Sequence, residues 1–478
     1  MNARLSLSPS NLFLDLWNEA CIWKPSILTS VIKPDRTFFN KAISALELDD
    51  AEDAYQHLVE LKNEEGFPAK GRALIIMQAI DEVFYRIHPR SRSLPASAGT
   101  IKTPNWLKDA REHRLITGSY LSENGRSLVP RGPLSRLPRD EVASNGESLA
   151  DRFAALAVVP GTLYKDEFPV KVKLFVRGND ISRGVPPGKG HSETVAFLPV
   201  AESFSDLKVS LRDAGGRTVA KYESTDELAT KNRIVNGISK VGNVDIAIAS
   251  ELLVSESQAD ALEEVLISAS STPRMIVCGS GNTNSMEDGQ AWNESRVLNG
   301  VGSELWRQRK IWPAGLTRER AVQYGFSDPG EANMIVEDNC SGEEIIVADI
   351  DTLGRCVVLI CQDIETRPLS DDLIRTYQPD WVFSPILDQG IDVGRWGHQR
   401  AFSLSAISNA KYLLCSSTAL ADYCGKTDVA CGLAVGPRSA VGDEEGRMYS
   451  LAYAISESDT AYAVLHWGGE GWSKTSID

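Results

Sequence analysis

Three stretches of the chain end an apolar run on a side chain that can do chemistry. Asp245-Ile-Ala-Ile-Ala-Ser-Glu251 runs from a strand pattern straight into a carboxylate. A carboxylate against an apolar wall is poorly solvated, so its pKa rises and it suits proton acceptance near neutral pH. Trp306-Arg-Gln-Arg-Lys310-Ile-Trp-Pro places a lysine just before apolar residues, where it can stabilise an oxyanion. Arg355-Cys-Val-Val-Leu-Ile-Cys361-Gln-Asp363 ends a strand on a thiol and then turns polar. A Cys at such a turn is presented as a nucleophile, and the backbone N–H groups after it can cradle an oxyanion. Taken singly, each has a plainer reading: Glu251 as a helix-start carboxylate, Lys310 as a surface cation, Cys361 as a core thiol. Cys278, Cys356 and Cys415 fit the core reading better, because each lies within an apolar strand pattern.

Order and flanks join the three. Glu251, Lys310 and Cys361 follow one another at intervals of 59 and 51 residues. Around them stand Met275-Ile-Val-Cys-Gly279, Trp292-Asn293-Glu-Ser295-Arg-Val297, Arg309-Lys310-Ile311 and Cys361-Gln362-Asp363. Further on come Gln378-Pro-Asp380-Trp-Val-Phe-Ser384-Pro385, Ala406-Ile-Ser-Asn409 and Ala434-Val-Gly-Pro437. In these motifs residues 192–467 resemble the nitrilase, or carbon–nitrogen hydrolase, superfamily, with an insertion near the Leu211 to Lys221 hairpin. Ser250 stands where that family usually has Pro, and Ser405 and Ser408 where it has Arg and Glu.

The resemblance implies an α/β fold, a nitrilase-like αββα sandwich, and the helical pattern from Asn11 to about Arg86 places a mainly helical N-terminal domain before it. It also implies a Glu251–Lys310–Cys361 triad that cleaves an amide, nitrile or carbamoyl C–N bond through a thioester, with the backbone of Gln362 in the oxyanion site. A second, substrate-positioning glutamate is expected at Glu319, with Glu331 as the alternative, and His398 is expected near the substrate. No metal and no organic cofactor are expected; the partners are a small-molecule amide or nitrile and, as in the family, further copies of the chain in a homo-oligomer.

Rival readings remain open at this point. Cys361 and His398 could form a Cys–His pair. A serine hydrolase needs a G-x-S-x-G elbow, which Cys278-Gly-Ser280-Gly281 lacks. The fold could also serve as a binding or assembly module with weak catalysis, since fold does not guarantee turnover. If the thiol mechanism holds, iodoacetamide is expected to label Cys361 ahead of the other seven cysteines.

The elements that must position these residues follow from periodicity. Strands are predicted at 194–200, 244–249, 275–278, 344–350, 356–360, 381–383 and 412–414, and helices at 225–239, 257–268 and 402–410. Val170, Val172, Leu174 and Val176 alternate with polar residues as a half-buried strand, and Gly178 to Gly190 reads as a loop. The domain reading is 1–88 helical, 89–148 a basic Pro/Ser/Gly-rich linker, 149–190 a β-containing connector and 191–478 the hydrolase.

Composition sets the outer limits. Hydrophobic residues make up 42% and charged residues 24%, as in globular proteins. The net charge of −15 argues against general attraction to nucleic acid or anionic membrane. Residues 86–139 run the other way, with eleven Lys or Arg against three Asp or Glu. Nucleic-acid or protein contact through that stretch is the weaker reading beside a solvated linker, and Trp106 and Tyr120 are too few for a stacking platform. Eight cysteines without C-x-x-C spacing suggest reduced thiols in a cytoplasm, and neither a signal peptide nor a membrane span is expected.

Overall fold

The computed structural model describes residues 7–24, 26–27, 35–65, 68–87, 103–132, 148–177, 192–326, 332–350, 353–437, 447–457, 459–468 and 471–474. Glu331 and the whole of the expected 178–190 loop lie outside these residues. Contacts divide the chain into two compact units, Met1–Thr162 with Leu174–Val176, and Leu163–Lys173 with Arg177–Asp478.

The first unit is built on helices Pro9–Ala20, Arg36–Leu46, Ala51–Asn63 and Ala69–Ile87. Asp35 and Asp50 start the second and third by accepting from backbone N–H groups of their first turns. Residues 103–132, expected to be linker, are folded into the same core. Trp106, on helix Asn105–Thr117, is 4% exposed and donates its indole N–H to Leu46 O at 3.1 Å. Trp106 and Tyr120 both pack against Phe84, at 5.9 and 4.5 Å between ring centroids. A three-stranded sheet follows, its middle strand Arg126–Pro130 paired antiparallel to Leu121–Glu123 and Leu156–Pro160. The aromatics hidden in a basic, Ser-rich stretch are therefore core anchors, and the boundary falls near residue 162 instead of at 149 or 191. Buried Asp81 fastens that last strand to helix Ala69–Ile87 by accepting from the N–H groups of Ala154, Ala155 and Leu156 at 2.7 to 2.9 Å.

The second unit is a helix–sheet–sheet–helix sandwich. One sheet is centred on parallel strands Glu193–Leu198, Ile246–Ala249 and Met275–Val277. The other is centred on parallel strands Gly354–Val358, Trp381–Ile386 and Lys411–Ser416. The central strands are buried on both faces and mostly apolar, as strands covered on each side must be. Their inner faces meet, while helices Glu227–Val241 and Glu256–Ser268 cover the first sheet and Trp396–Ser405 the second. That last helix starts six residues before the expected 402–410 and stops earlier. Trp396 at its first position is held by Asp388, and beyond Phe402 the hydroxyls of Ser405 and Ser408 turn back onto main-chain carbonyls.

A third, four-stranded sheet lies beside the sandwich, ordered Gly315–Thr317, Met334–Glu337, Thr218–Ser224 and Leu207–Asp213. The hairpin read as an insertion supplies two of its strands. Thr218–Ser224 runs parallel to Met334–Glu337, with Ala220 opposite Glu337.

Candidate active site

Parallel strands expose their carboxyl ends together, and ligands of open α/β sheets gather there. In this sandwich the carboxyl ends from both sheets converge. Ile246–Ala249 leads into Ser250 and Glu251, Gly354–Val358 into Cys361, and Trp381–Ile386 into Leu387 and Asp388. Main-chain bonds stitch the three ends: Glu251 N–H donates to Ile386 O at 3.2 Å and Cys361 N–H to Pro385 O at 3.0 Å. Gly279 lets the neighbouring chain approach at φ +75°, where a Cβ would sit 2.2 Å from Ser250 O.

Cys361 has φ 47° and ψ −105°, a positive-φ backbone for a non-glycine residue at a sharp strand-to-helix turn. The four-residue helix Gln362–Glu365 begins immediately after it. Lys310 leaves strand Glu304–Arg309 and is fully buried, its N–H donating to Asn293 O at 2.8 Å. Its ammonium bridges two carboxylates, Glu251 Oε1 at 2.8 Å and Glu337 Oε2 at 2.5 Å. Asn293 Nδ2 donates to Glu251 Oε1 at 3.1 Å and Leu387 N–H to Glu251 Oε2 at 3.0 Å. The Cys361 thiol and the Glu251 carboxylate line the same pocket and act on each other electrostatically.

The electrostatics follow from burial. Burial pushes the Glu251 carboxyl up to about 6, with Lys310 pulling it down and Glu337 up. Burial and then the Glu251 charge push the Cys361 thiol well above its ordinary range, against the pull of Lys310. Burial alone would lower Lys310, but Glu251, Glu337 and Cys361 hold its ammonium well above the ordinary lysine range. The resting arrangement is a thiol beside a carboxylate and an ammonium. Asp363 is pushed up to about 7 by burial, while its oxygens accept from Ile311 and Trp312 N–H at 2.8 to 3.1 Å, tying the Cys361 turn to the Lys310 segment.

Glu251, Lys310, Glu337, Cys361 and Gln362 line a pocket of about 670 Å³, part of it open to solvent. The floor is Cys361, Lys310, Glu251 and Glu337, and the walls include Tyr222, Leu252, Leu316, Tyr324 and Leu387. Asp388 is consumed in holding the wall, since Arg395 donates to both its oxygens at 2.9 Å, Trp396 Nε1 to one at 2.8 Å, and the Tyr324 hydroxyl also bonds it.

The structure brings Glu251, Lys310, Cys361 and Gln362 together. It does not bring Glu319 to them: that residue is exposed in the first turn of helix Arg318–Gln323 and is absent from the pocket lining. The second glutamate at the lysine is Glu337. Sequence distance from Lys310 gave no hint of it, because it arrives on a strand of the small sheet; its signal was the alternation in Met334-Ile-Val-Glu337 ahead of a polar turn. His398 is also absent from the pocket lining; it accepts from Gly394 N–H at 3.3 Å and contacts Phe402 and Tyr449. The Cys–His reading loses its geometry accordingly. Selective alkylation of Cys361 is not expected either, because Cys21 and Cys424 are exposed and the Cys361 thiol is pushed up. Among the described residues no group of three or more His, Cys, Asp or Glu is placed to hold a metal ion.

No protein-family model matches the sequence, and no curated protein matches it. The structure resembles solved nitrilase-superfamily proteins. Nit3 from Saccharomyces cerevisiae, a member of branch 10 of that superfamily, is 13% identical with a TM-score of 0.34, over 55% of this chain and 90% of its own. An amidase from Nesterenkonia sp. is 14% identical with a TM-score of 0.33, over 55% and 90%. A carbon–nitrogen hydrolase from Helicobacter pylori G27 is 11% identical with a TM-score of 0.32, over 55% and 89%.

Proposed function

We propose that the second unit is a thiol hydrolase that cleaves a non-peptide carbon–nitrogen bond of a small amide, nitrile or carbamoyl compound. The observation that carries this reading is the buried Lys310 ammonium bridging Glu251 and Glu337 beside the Cys361 thiol at the floor of an open pocket. For an amide, Glu251 takes the proton from Cys361 and the sulfur attacks the carbonyl carbon. The oxyanion is met by Lys310, which keeps one N–H beyond its two carboxylate bonds, and by the N–H of Gln362, which has no acceptor among the described residues. The C–N bond then breaks, the nitrogen leaves with the proton held by Glu251, and a thioester remains. Glu251 next deprotonates a water that attacks the thioester, and the sulfur leaves and regains its proton. The products are a carboxylic acid and ammonia or an amine. A raised thiol and a carboxylate at about 6 suit this general-base route better than a preformed thiolate.

The test is an ammonia-release screen over amides, nitriles, ureido acids and glutamine. Cys361→Ala is expected to abolish release while circular dichroism stays unchanged. Undiminished turnover in that variant would sink the mechanism.

A further inference from the structure

We infer that the substrate is a side-chain amide of an α-amino acid, its carboxylate held by Arg320 and its ammonium by Glu365. The inference rests on the hydrolase reading of the same pocket. Most of the charge lining that pocket is already matched. Lys310 answers Glu251 and Glu337, and Arg395 answers Asp388. Two charged side chains in the lining are left over, Arg320 and Glu365. Among the described residues neither has an ion-pair partner within 4.0 Å, and they do not pair with each other.

They come from different elements. Arg320 stands on helix Arg318–Gln323, which follows the small-sheet strand Gly315–Thr317, and Glu365 closes the short helix that begins after Cys361. The Arg320 guanidinium lies over the Tyr324 ring, 5.8 Å from its centroid, and the Glu365 charge acts on it from beyond 4.0 Å, which leaves its five N–H donors available. Both residues are exposed, so water satisfies them while the pocket is empty. Pairing across the mouth would gain little in water, whereas a ligand holding complementary charges in the same cavity replaces that water with charge-assisted hydrogen bonds. A neutral amide answers neither charge and an acid amide answers one. An amide on the side chain of an α-amino acid answers both.

Four amides that share one acyl chain separate these cases: glutamine, its analogue without the ammonium (glutaric acid monoamide), its analogue without the carboxylate (4-aminobutyramide), and butyramide. The expected order of kcat/KM places glutamine first, with a loss of roughly tenfold to a hundredfold on removing either charged group. Arg320→Gln should erase the difference between glutamine and 4-aminobutyramide while keeping that between glutamine and the monoamide. Glu365→Gln should do the reverse. Equal kcat/KM for glutamine and butyramide overturns the inference, and so does a fall in all four alike in Arg320→Gln. Cys361-dependent turnover of other amides but none of these also overturns it, with the hydrolase reading left standing. Absence of Cys361-dependent release from every compound in the wider screen overturns that reading, and the inference with it.

Discussion

At the scale of single residues the site is a contest between burial and pairing. A lysine with no exposure costs several kcal/mol in desolvation unless its charge is answered. Two carboxylates answer it here, and the same arrangement leaves Glu251 at about 6. The pH dependence follows in sign: Glu251 accepts a proton only when ionised, so kcat/KM should fall about tenfold per unit as pH drops below about 6. A profile that stays flat from pH 7 to pH 5 would remove Glu251 as the base. The second glutamate separates the sequence expectation from the structure. Glu337→Gln leaves Lys310 with one carboxylate and should lower kcat roughly tenfold or more, whereas Glu319→Gln, at an exposed position outside the pocket lining, should leave kcat and KM as they are. Steady-state kinetics of the two variants side by side checks both.

At the scale of elements, the small sheet holds one of the four floor residues and part of the pocket wall. Asp338, next to Glu337, is gripped by the Arg212 guanidinium through Nε and Nη2, the latter at 2.6 Å, and Gln290 adds a bond at 3.0 Å. Arg212 belongs to the hairpin read from sequence as an insertion, so that hairpin steadies the strand carrying Glu337. Arg212→Ala should lower kcat roughly tenfold and also lower the melting temperature, because it leaves the buried Asp338 carboxylate without its cation while a shift of Glu337 by a fraction of an ångström is felt at Lys310. Unchanged kcat in that variant would reduce the hairpin to decoration. The same elements show what could be read in advance. Strand ends at Glu251 and Cys361 are legible because an apolar run stopping on a polar group marks a strand edge in any sequence. Glu337, Asn293 and Asp363 act through partners far along the chain, and local periodicity carries no information about such pairings. Helix Trp396–Ser405 was misplaced because its start depends on Asp388, which only the fold brings near.

At the scale of the whole molecule, packing decides where the charge pattern alone suggests a linker. The basic stretch 86–139 contains Trp106, Tyr120 and Arg131, all buried in the first unit. The described part of that stretch is domain, and its lysines and arginines are surface residues of that domain or ties within it, as Arg131 is to Ala150 O. No helix among the described residues is long and apolar enough to cross a membrane. The sandwich has a consequence for inactivation by heat. Glu251 is anchored to one sheet and Cys361 to the other, so the proton donor and acceptor sit on opposite sides of a seam. Local openings cost less free energy than unravelling the whole sandwich. The spacing of Glu251 and Cys361 is therefore a gauge of how the two layers are registered, and ammonia release should fail several degrees before far-ultraviolet circular dichroism reports any loss of strand. Coincident loss of both signals would mean that the layers part only when the strands themselves melt.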